Sequence, residues 1–294
     1  MLLSTQTDIS AARFGLERSV ELICDAGFDA LDLSMFPNDA IGWIFQKDFR
    51  PRLQTVRRMA EERGKRFNQA HAPFPSYRVG DDAYNARIRP LLIRAIEAAG
   101  IVGADNIVIH PVVFNDRDKD ENKARNIEMY NALAPFAEAA GVKIAVENMW
   151  GWDQRRGVIR SNVCSVAPEL ADYYDALDPD RFTVCMDVGH IGLVGEYEAA
   201  YIRTLGPERL GCVHIHDTDY VHDLHTCPFT KKLPWQEIAE AFAEIGYRGD
   251  ITLEADNFLV PLPDALVPAG LAFMQAAGRE LIRLIEEKKS ETKQ

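Results

Sequence analysis

The chain is short of the features that would assign it quickly. Its five cysteines (Cys24, Cys164, Cys185, Cys212 and Cys227) include no C-x-x-C pair. An odd count without paired spacing suggests neither a disulfide framework nor a thiolate zinc site, so free thiols are expected. Long apolar runs are missing: stretches such as IVIHPVVF fall far below the roughly 20 residues of a membrane span. The opening MLLSTQTDIS has no basic start leading into an apolar stretch, and a cytoplasmic location is expected. Positive charge is in deficit, with 33 basic against 45 acidic residues and a net charge of −12. That leaves no basic footprint for nucleic acid and no stripe for an anionic membrane, and favours a small-molecule partner. Histidine is scarce, seven in 294 residues. Yet four of the seven (His214, His216, His222, His225) fall within CVHIHDTDYVHDLHT, residues 212–226.

Eight apolar stretches of strand length do follow one another along the chain: LLSTQ, ALDLSM, RFNQAHA, NIVIHPV, KIAVENM, FTVCMDV, GCVHIHD and DITLEAD. Helical spacing fills the gaps. Ile88, Leu91, Leu92, Ala95, Ile96 and Ala99 recur as one buried helix face, and Leu271, Met274, Leu281 and Ile285 repeat the pattern at the end. Gly27, Gly64, Gly103, Gly141 and Gly246 stand where helix returns to strand. No linker rich in Pro, Gly or Ser interrupts the alternation. The expectation is therefore an α/β protein, a single (β/α)8 TIM barrel over residues 1–294, with a frayed charged tail from about 286 (EEKKSETKQ). An open doubly wound sheet, the alternative, should carry a Gly-rich phosphate turn after its first strand, and LLSTQTDIS has none.

Barrels of this kind place their chemistry at the carboxyl ends of the strands. Those positions hold His71, His110, Glu147, Asp187 with His190, His214 and Glu254. Gathering several carboxylates and imidazoles at the mouth of one apolar barrel is costly unless a cation compensates them. Carboxylates with imidazole and no thiolate suit a hard to borderline divalent ion: Mn²⁺ first, with Mg²⁺, Co²⁺ or Zn²⁺ as alternatives. Trp150 and Trp152 in ENMWGWD offer ring faces for a sugar. Arg155, Arg156 and His222 are expected in solvent.

With the motifs D-x-G-H (Asp187 to His190), H-x-H-D (His214 to Asp217) and D-x-H (Asp223 to His225) in order, the chain resembles the xylose-isomerase-like TIM barrels. These include sugar phosphate isomerases and epimerases, ketose 3-epimerases, inosose dehydratase and the endonuclease IV group. The resemblance implies that Glu147, Asp187, His214 and Glu254 are metal ligands and that Glu147 and Glu254 also act on substrate. It implies that His71, His110, His190, Asp223 and His225 either hold further metal or bind substrate, and His190 is expected to orient hydroxyls. His216 is expected on the other side of its strand, in a structural role or as a hydrogen-bonding support of the ligands. The function implied is a metal-dependent sugar isomerase or epimerase that abstracts a proton next to a carbonyl through an enediolate. A keto-sugar or keto-glycoside lyase or dehydratase, and a multi-metal phosphodiester hydrolase, stand as alternatives, and a homo-oligomer is possible.

Overall fold

The computed structural model describes residues 1–36 and 42–291. Its strands are β1 (Leu3–Gln6), β2 (Ala30–Ser34), β3 (Arg66–His71), β4 (Asn106–Ile109), β5 (Lys143–Glu147), β6 (Trp150–Asp153), β7 (Val158–Ser161), β8 (Phe182–Asp187), β9 (Leu210–Ile215) and β10 (Ile251–Leu253). Eight of them close into a barrel in the order β1, β10, β9, β8, β5, β4, β3, β2, with helices between them. The expected (β/α)8 barrel is thus the fold. The expected strand stretches all form, and β6 with β7 adds an antiparallel hairpin after β5 that the pattern did not announce. Gly103 and Gly141 end the helices Asp82–Val102 and Lys119–Ala140 at φ 80° and 72°, a region in which a Cβ is penalised.

The helix Asp82–Val102 buries Ile88, Leu92, Ala95, Ile96 and Ala99 against the barrel, as its spacing implies. Inside the barrel the filling is small and partly polar. Val108, Ala145, Cys185 and Cys212 form one apolar cluster. Beside them Ser4 Oγ donates to Thr252 Oγ1 at 2.8 Å and Gln69 donates to Asp32 at 2.8 Å. All five cysteines are buried free thiols. No helix of the described residues is long and apolar enough to cross a membrane.

The tail differs from expectation. The last helix runs unbroken from Val267 to Glu291 rather than fraying at about 286, and Thr292 to Gln294 lie outside the described residues. Buried Leu284 and Ile285 anchor it. Lys289 pairs with Glu286 at 2.9 Å and Lys288 with Glu291 at 3.1 Å, so the charges form helix-supporting pairs one turn apart.

One buried acid lies away from the barrel mouth. Glu198, 3% exposed in the helix Glu198–Leu205, has an Oε1 without a hydrogen-bond partner. Burial pushes its carboxyl from the ordinary 4.5 up to about 7. Because the folded-state value is raised, the folded chain holds the proton more tightly, so stability falls as pH rises from about 4.5 through about 7. Glu198→Gln should therefore raise the melting temperature by several degrees at pH 8 and leave it nearly unchanged at pH 4. Equal shifts at both pH values in a thermal denaturation series would refute this.

Candidate metal centre

The carboxyl ends of the strands open on a cavity of about 610 Å³. Glu147 ends β5, Asp187 ends β8, His214 lies near the end of β9, and Glu254 follows β10. Register explains their meeting: Asp187 and Thr252 both pair with His214. Glu254, two residues beyond Thr252, shares its face of the strand one step nearer the mouth. One donor atom from each of Glu147, Asp187, His214 and Glu254 lies within 4.8 Å of the other three. Nδ1 of His214 stands 2.8 Å from both Glu147 Oε1 and Glu254 Oε2. The four side chains belong to residues between 0% and 6% exposed, so their charge is withdrawn from water.

That charge needs compensation. Burial pushes the Glu147 carboxyl up, but the imidazoles of His214 and His110 outweigh it and hold the group well below the usual carboxylate range. Burial pushes His214 down, yet Glu254 and Glu147 drive it well above 6.5. Glu254 is held low in turn, against burial, by His214 and His225. Glu147 Oε2 accepts no hydrogen bond of good geometry, although His110 Nε2 lies 2.9 Å away. Three carboxylates, one imidazole and a carboxylate oxygen still short of a donor fit a hard divalent cation. Cys185 also comes within reach of Glu147 and His214, a neighbourhood that no motif announces. Burial and then Cys212 hold it well above 9.0, as a thiol and not a thiolate.

A second group gathers beside the first. Donor atoms of His190, His216, Asp223 and His225 lie within 4.8 Å of one another. Asp223 Oδ1 has no hydrogen bond of good geometry, though His225 Nε2 is 3.1 Å away, and its Oδ2 accepts from Trp150 Nε1 at 2.9 Å. His225 sits at φ 43°, a left-handed conformation that a β-substituted residue rarely enters and that is often kept at functional sites. His216 differs from expectation in its side of the strand and agrees with it in supporting a ligand, Asp187. Residues two apart in a strand share a face, so His216 follows His214 inward, places Nε2 3.0 Å from Asp187 Oδ1 and stacks on His225 at 4.1 Å. Asp187 thereby joins both groups.

The D-x-G-H motif has a steric reason in this contact. A Cβ at Gly189 would stand 2.0 Å from His216 Cε1. That ring is fully buried between Asp187 and His225 and has nowhere to go. Gly189→Ala should cost about 1–3 kcal/mol of stability, as overpacking does, and push His216 off Asp187. A denaturant midpoint equal to that of the unchanged protein would contradict it.

The other expected residues divide. His71 and His110 approach each other Nε2 to Nε2 at 3.0 Å and share Glu147. Trp150 lines the cavity, but Trp152 does not: it is 46% exposed on the outer part of the hairpin. Arg155 and Arg156 are exposed at the hairpin turn, and His222 pairs with Asp219 at 2.9 Å in solvent. Missed in the sequence were Gln6, Asp8 and Asp256, which line the cavity just beyond the inner layer. Gln6 donates to Glu254 Oε1 at 2.5 Å, and burial raises both Asp8 and Asp256. Their signal was position: Gln6 ends β1, Asp8 comes just after Thr7 beyond it, and Asp256 lies past Glu254 and Ala255 beyond β10.

The pattern of the xylose isomerase-like TIM barrel matches residues 20–277. The chain belongs to that family. Among its relatives by sequence is an uncharacterized protein of Methanocaldococcus jannaschii, 27% identical over 197 residues, 64% of each chain. Another is the D-psicose 3-epimerase of Ruminiclostridium cellulolyticum, 28% identical over 137 residues, 47% of this chain and 42% of that enzyme. The chain's match thus spans less than two thirds of either relative. Solved structures of this xylose isomerase-like fold include a D-tagatose 3-epimerase-like protein at TM-score 0.75 and 20% identity, covering 98% of this chain and 99% of that one. An L-ribulose 3-epimerase superposes at TM-score 0.73 and 18% identity, covering 99% and 97%. The 3-keto-D-glucoside 4-epimerase of E. coli does so at 0.69 and 16%, covering 94% and 98%. At such identities these structures establish the shared fold.

Proposed function

We propose that the barrel mouth isomerises or epimerises a small sugar by moving a proton at the carbon next to its carbonyl, with Glu147 and Glu254 as the acid–base pair. One observation carries this: two glutamates, from strands on different sides of the barrel, flank one imidazole at the floor of a cavity of sugar size or larger. Glu147, Asp187, His214 and Glu254 would hold a divalent cation, Mn²⁺ in the first instance, which when bound would act as a Lewis acid toward a carbonyl oxygen. Each glutamate can accept a proton when ionised and give one back when protonated. The ionised one takes the proton from the substrate carbon, an enediolate forms in the substrate, and the other, which enters the step protonated, returns its proton from the opposite face, so the two glutamates end with their protonation exchanged. His190, Asp223, His225 and Trp150 line the adjoining wall and can hold hydroxyl groups. The epimerases among the relatives by sequence and fold support the same chemistry.

The test is solvent-deuterium exchange followed by NMR, with Mn²⁺ present, across ketoses, inososes and 3-keto-glycosides. Exchange at one carbon is expected, and none with any member of the panel would refute the proposal. Elimination from a keto-sugar would share the intermediate and would appear in the same spectra as product loss.

The His190, His216, Asp223 and His225 group favours a second reading, a multi-metal phosphodiester hydrolase. The two separate on cation count. Elemental analysis of purified protein should find about one tightly held transition-metal ion per chain. Two or three at full occupancy would move the assignment to the hydrolase.

A further inference from the structure

The mouth of the barrel is built in two halves that follow the order of its strands. Around the ring, β8, β9, β10 and β1 are consecutive, and so are β5, β4, β3 and β2. The first half contributes polar groups to the upper cavity: His190, Asp223, His225, Asp256 and Asp8. The second contributes Phe36, Phe74, Tyr77, Val79, Val113 and Met149, with Ser76 and Asn162 among them, above a floor that includes His71, His110 and Glu147. Two of these are unusually open for apolar side chains lining a cavity, Phe74 at 46% and Val79 at 56% exposed. Phe74 lies over His110 at 5.0 Å with the rings 30° apart and meets the edge of Phe36 at 5.0 Å, so its ring is held in place beside the floor. A contiguous apolar wall kept in water next to a polar site marks a surface that a ligand covers.

The basic side chains of the same lining, among the described residues, are histidines. No lysine or arginine lines the cavity among the described residues. Arg78 lies over the Tyr84 ring at 4.0 Å, and Arg13 binds the Val260 and Leu262 carbonyls at 2.7 Å. A phosphate or carboxylate on the substrate would meet the carboxylates of the polar half with no guanidinium or ammonium to receive it.

Resting on the sugar chemistry proposed above, we infer that the substrate is an uncharged, unphosphorylated keto-glycoside, its oxidised sugar ring on the half built by β8 to β1 and an apolar, flat aglycone on the wall of Phe74, Tyr77 and Val79. The cavity volume agrees. A free hexose fills well under half of about 610 Å³, and the remainder is the apolar part. Carboxylates of the polar half accept hydrogen bonds from sugar hydroxyls, while the aromatic wall takes the flat group by offset or edge contact.

The inference is tested by calorimetric titration of the Mn²⁺-loaded protein, without turnover. The probes are phenyl β-D-glucopyranoside, methyl β-D-glucopyranoside and phenyl β-D-glucopyranoside 6-phosphate, with the matching galactosides. In at least one sugar series the phenyl glycoside should bind at least tenfold tighter than the methyl glycoside and at least tenfold tighter than its 6-phosphate. Phe74→Ala combined with Val79→Ala should bring the phenyl-to-methyl ratio toward one. Both side chains are largely exposed, so the variant should fold, and an unchanged circular dichroism spectrum checks that. No binding of a phenyl glycoside, equal binding of phenyl and methyl forms, or tighter binding of the phosphate overturns the inference. Deuterium exchange keeps the two claims apart. Exchange on free ketoses without a phenyl preference sinks this inference alone, and a phenyl preference without exchange on any keto-sugar sinks the proposed reaction alone.

Discussion

Glutamine in place of Glu147 or of Glu254 should lower turnover by about 10²–10⁴-fold, the usual worth of a positioned general acid or base. Glutamine keeps the shape and one oxygen donor but cannot accept a proton, so each variant should retain at least part of its bound cation. The two should fail differently. If one glutamate serves each face of the substrate carbon, Glu147→Gln should still exchange the substrate proton with solvent for one epimer, and Glu254→Gln for the other. His214 Nδ1 touches Glu147 Oε1 and Glu254 Oε2 alike at 2.8 Å, which gives neither glutamate a privileged link to the imidazole. Near-normal turnover in both variants with the cation still bound would place proton transfer elsewhere. His190 and His71 would then be the groups to test, since both are buried at the same mouth.

Removing the charge of Asp187 should have an effect of similar size on cation binding, at least about a hundredfold in affinity, since changes to the outer partners of metal ligands already cost 10–100-fold. The residue is fully buried and serves three arrangements at once. It belongs to the inner donor set, it faces His216 Nε2 at 3.0 Å, and it accepts from the His190 backbone N–H at 2.7 Å to cap the helix Val188–Leu193. Asp187→Ala would lose the cap with the charge and could unfold the site for that reason alone. Asp187→Asn keeps an oxygen for the cap and separates the two effects. The unchanged protein should gain thermal stability on addition of Mn²⁺, as any ligand bound to the folded state confers. Asp187→Asn should show little of that gain, and elemental analysis should find most of the metal gone. Full metal content in Asp187→Asn would remove this residue from the ligand set.

Much of this site was legible because barrels tie function to position along the chain. A strand that ends in His71, Glu147 or Asp187 delivers that side chain to one end of the barrel whatever its neighbours are, so the strand-end candidates could be named from position, and the family resemblance picked Glu147, Asp187, His214 and Glu254 from among them. Gln6, Asp8 and Asp256 were open to the same logic and were passed over because a glutamine or an aspartate beside a strand is common. His216 failed for a different reason: the alternation was counted wrongly, and two residues along a strand is a return to the same face. Trp152 was grouped with Trp150 because the two are neighbours in sequence. The hairpin formed by β6 and β7 carries Trp150 to Asp223 and leaves Trp152 outside the cavity.

By itself the sequence determined the alternation of eight strands with helices, the closure that follows from it, and the polar residues carried to the strand ends, Glu147, Asp187, His214 and Glu254 among them, because hydrophobic period and strand-end position are local properties of the chain. The tertiary structure decided which of those residues share an atom-to-atom neighbourhood. Asp187 and His216 are 29 positions apart, and Trp150 and Asp223 are 73 apart. Their contacts exist because closing the ring sets β8 between β5 and β9 and turns their loops toward one mouth. The division of that mouth into a polar and an apolar half has the same origin. It follows the cyclic order of the strands, and a linear pattern of apolar and polar residues does not contain that order until the barrel has closed.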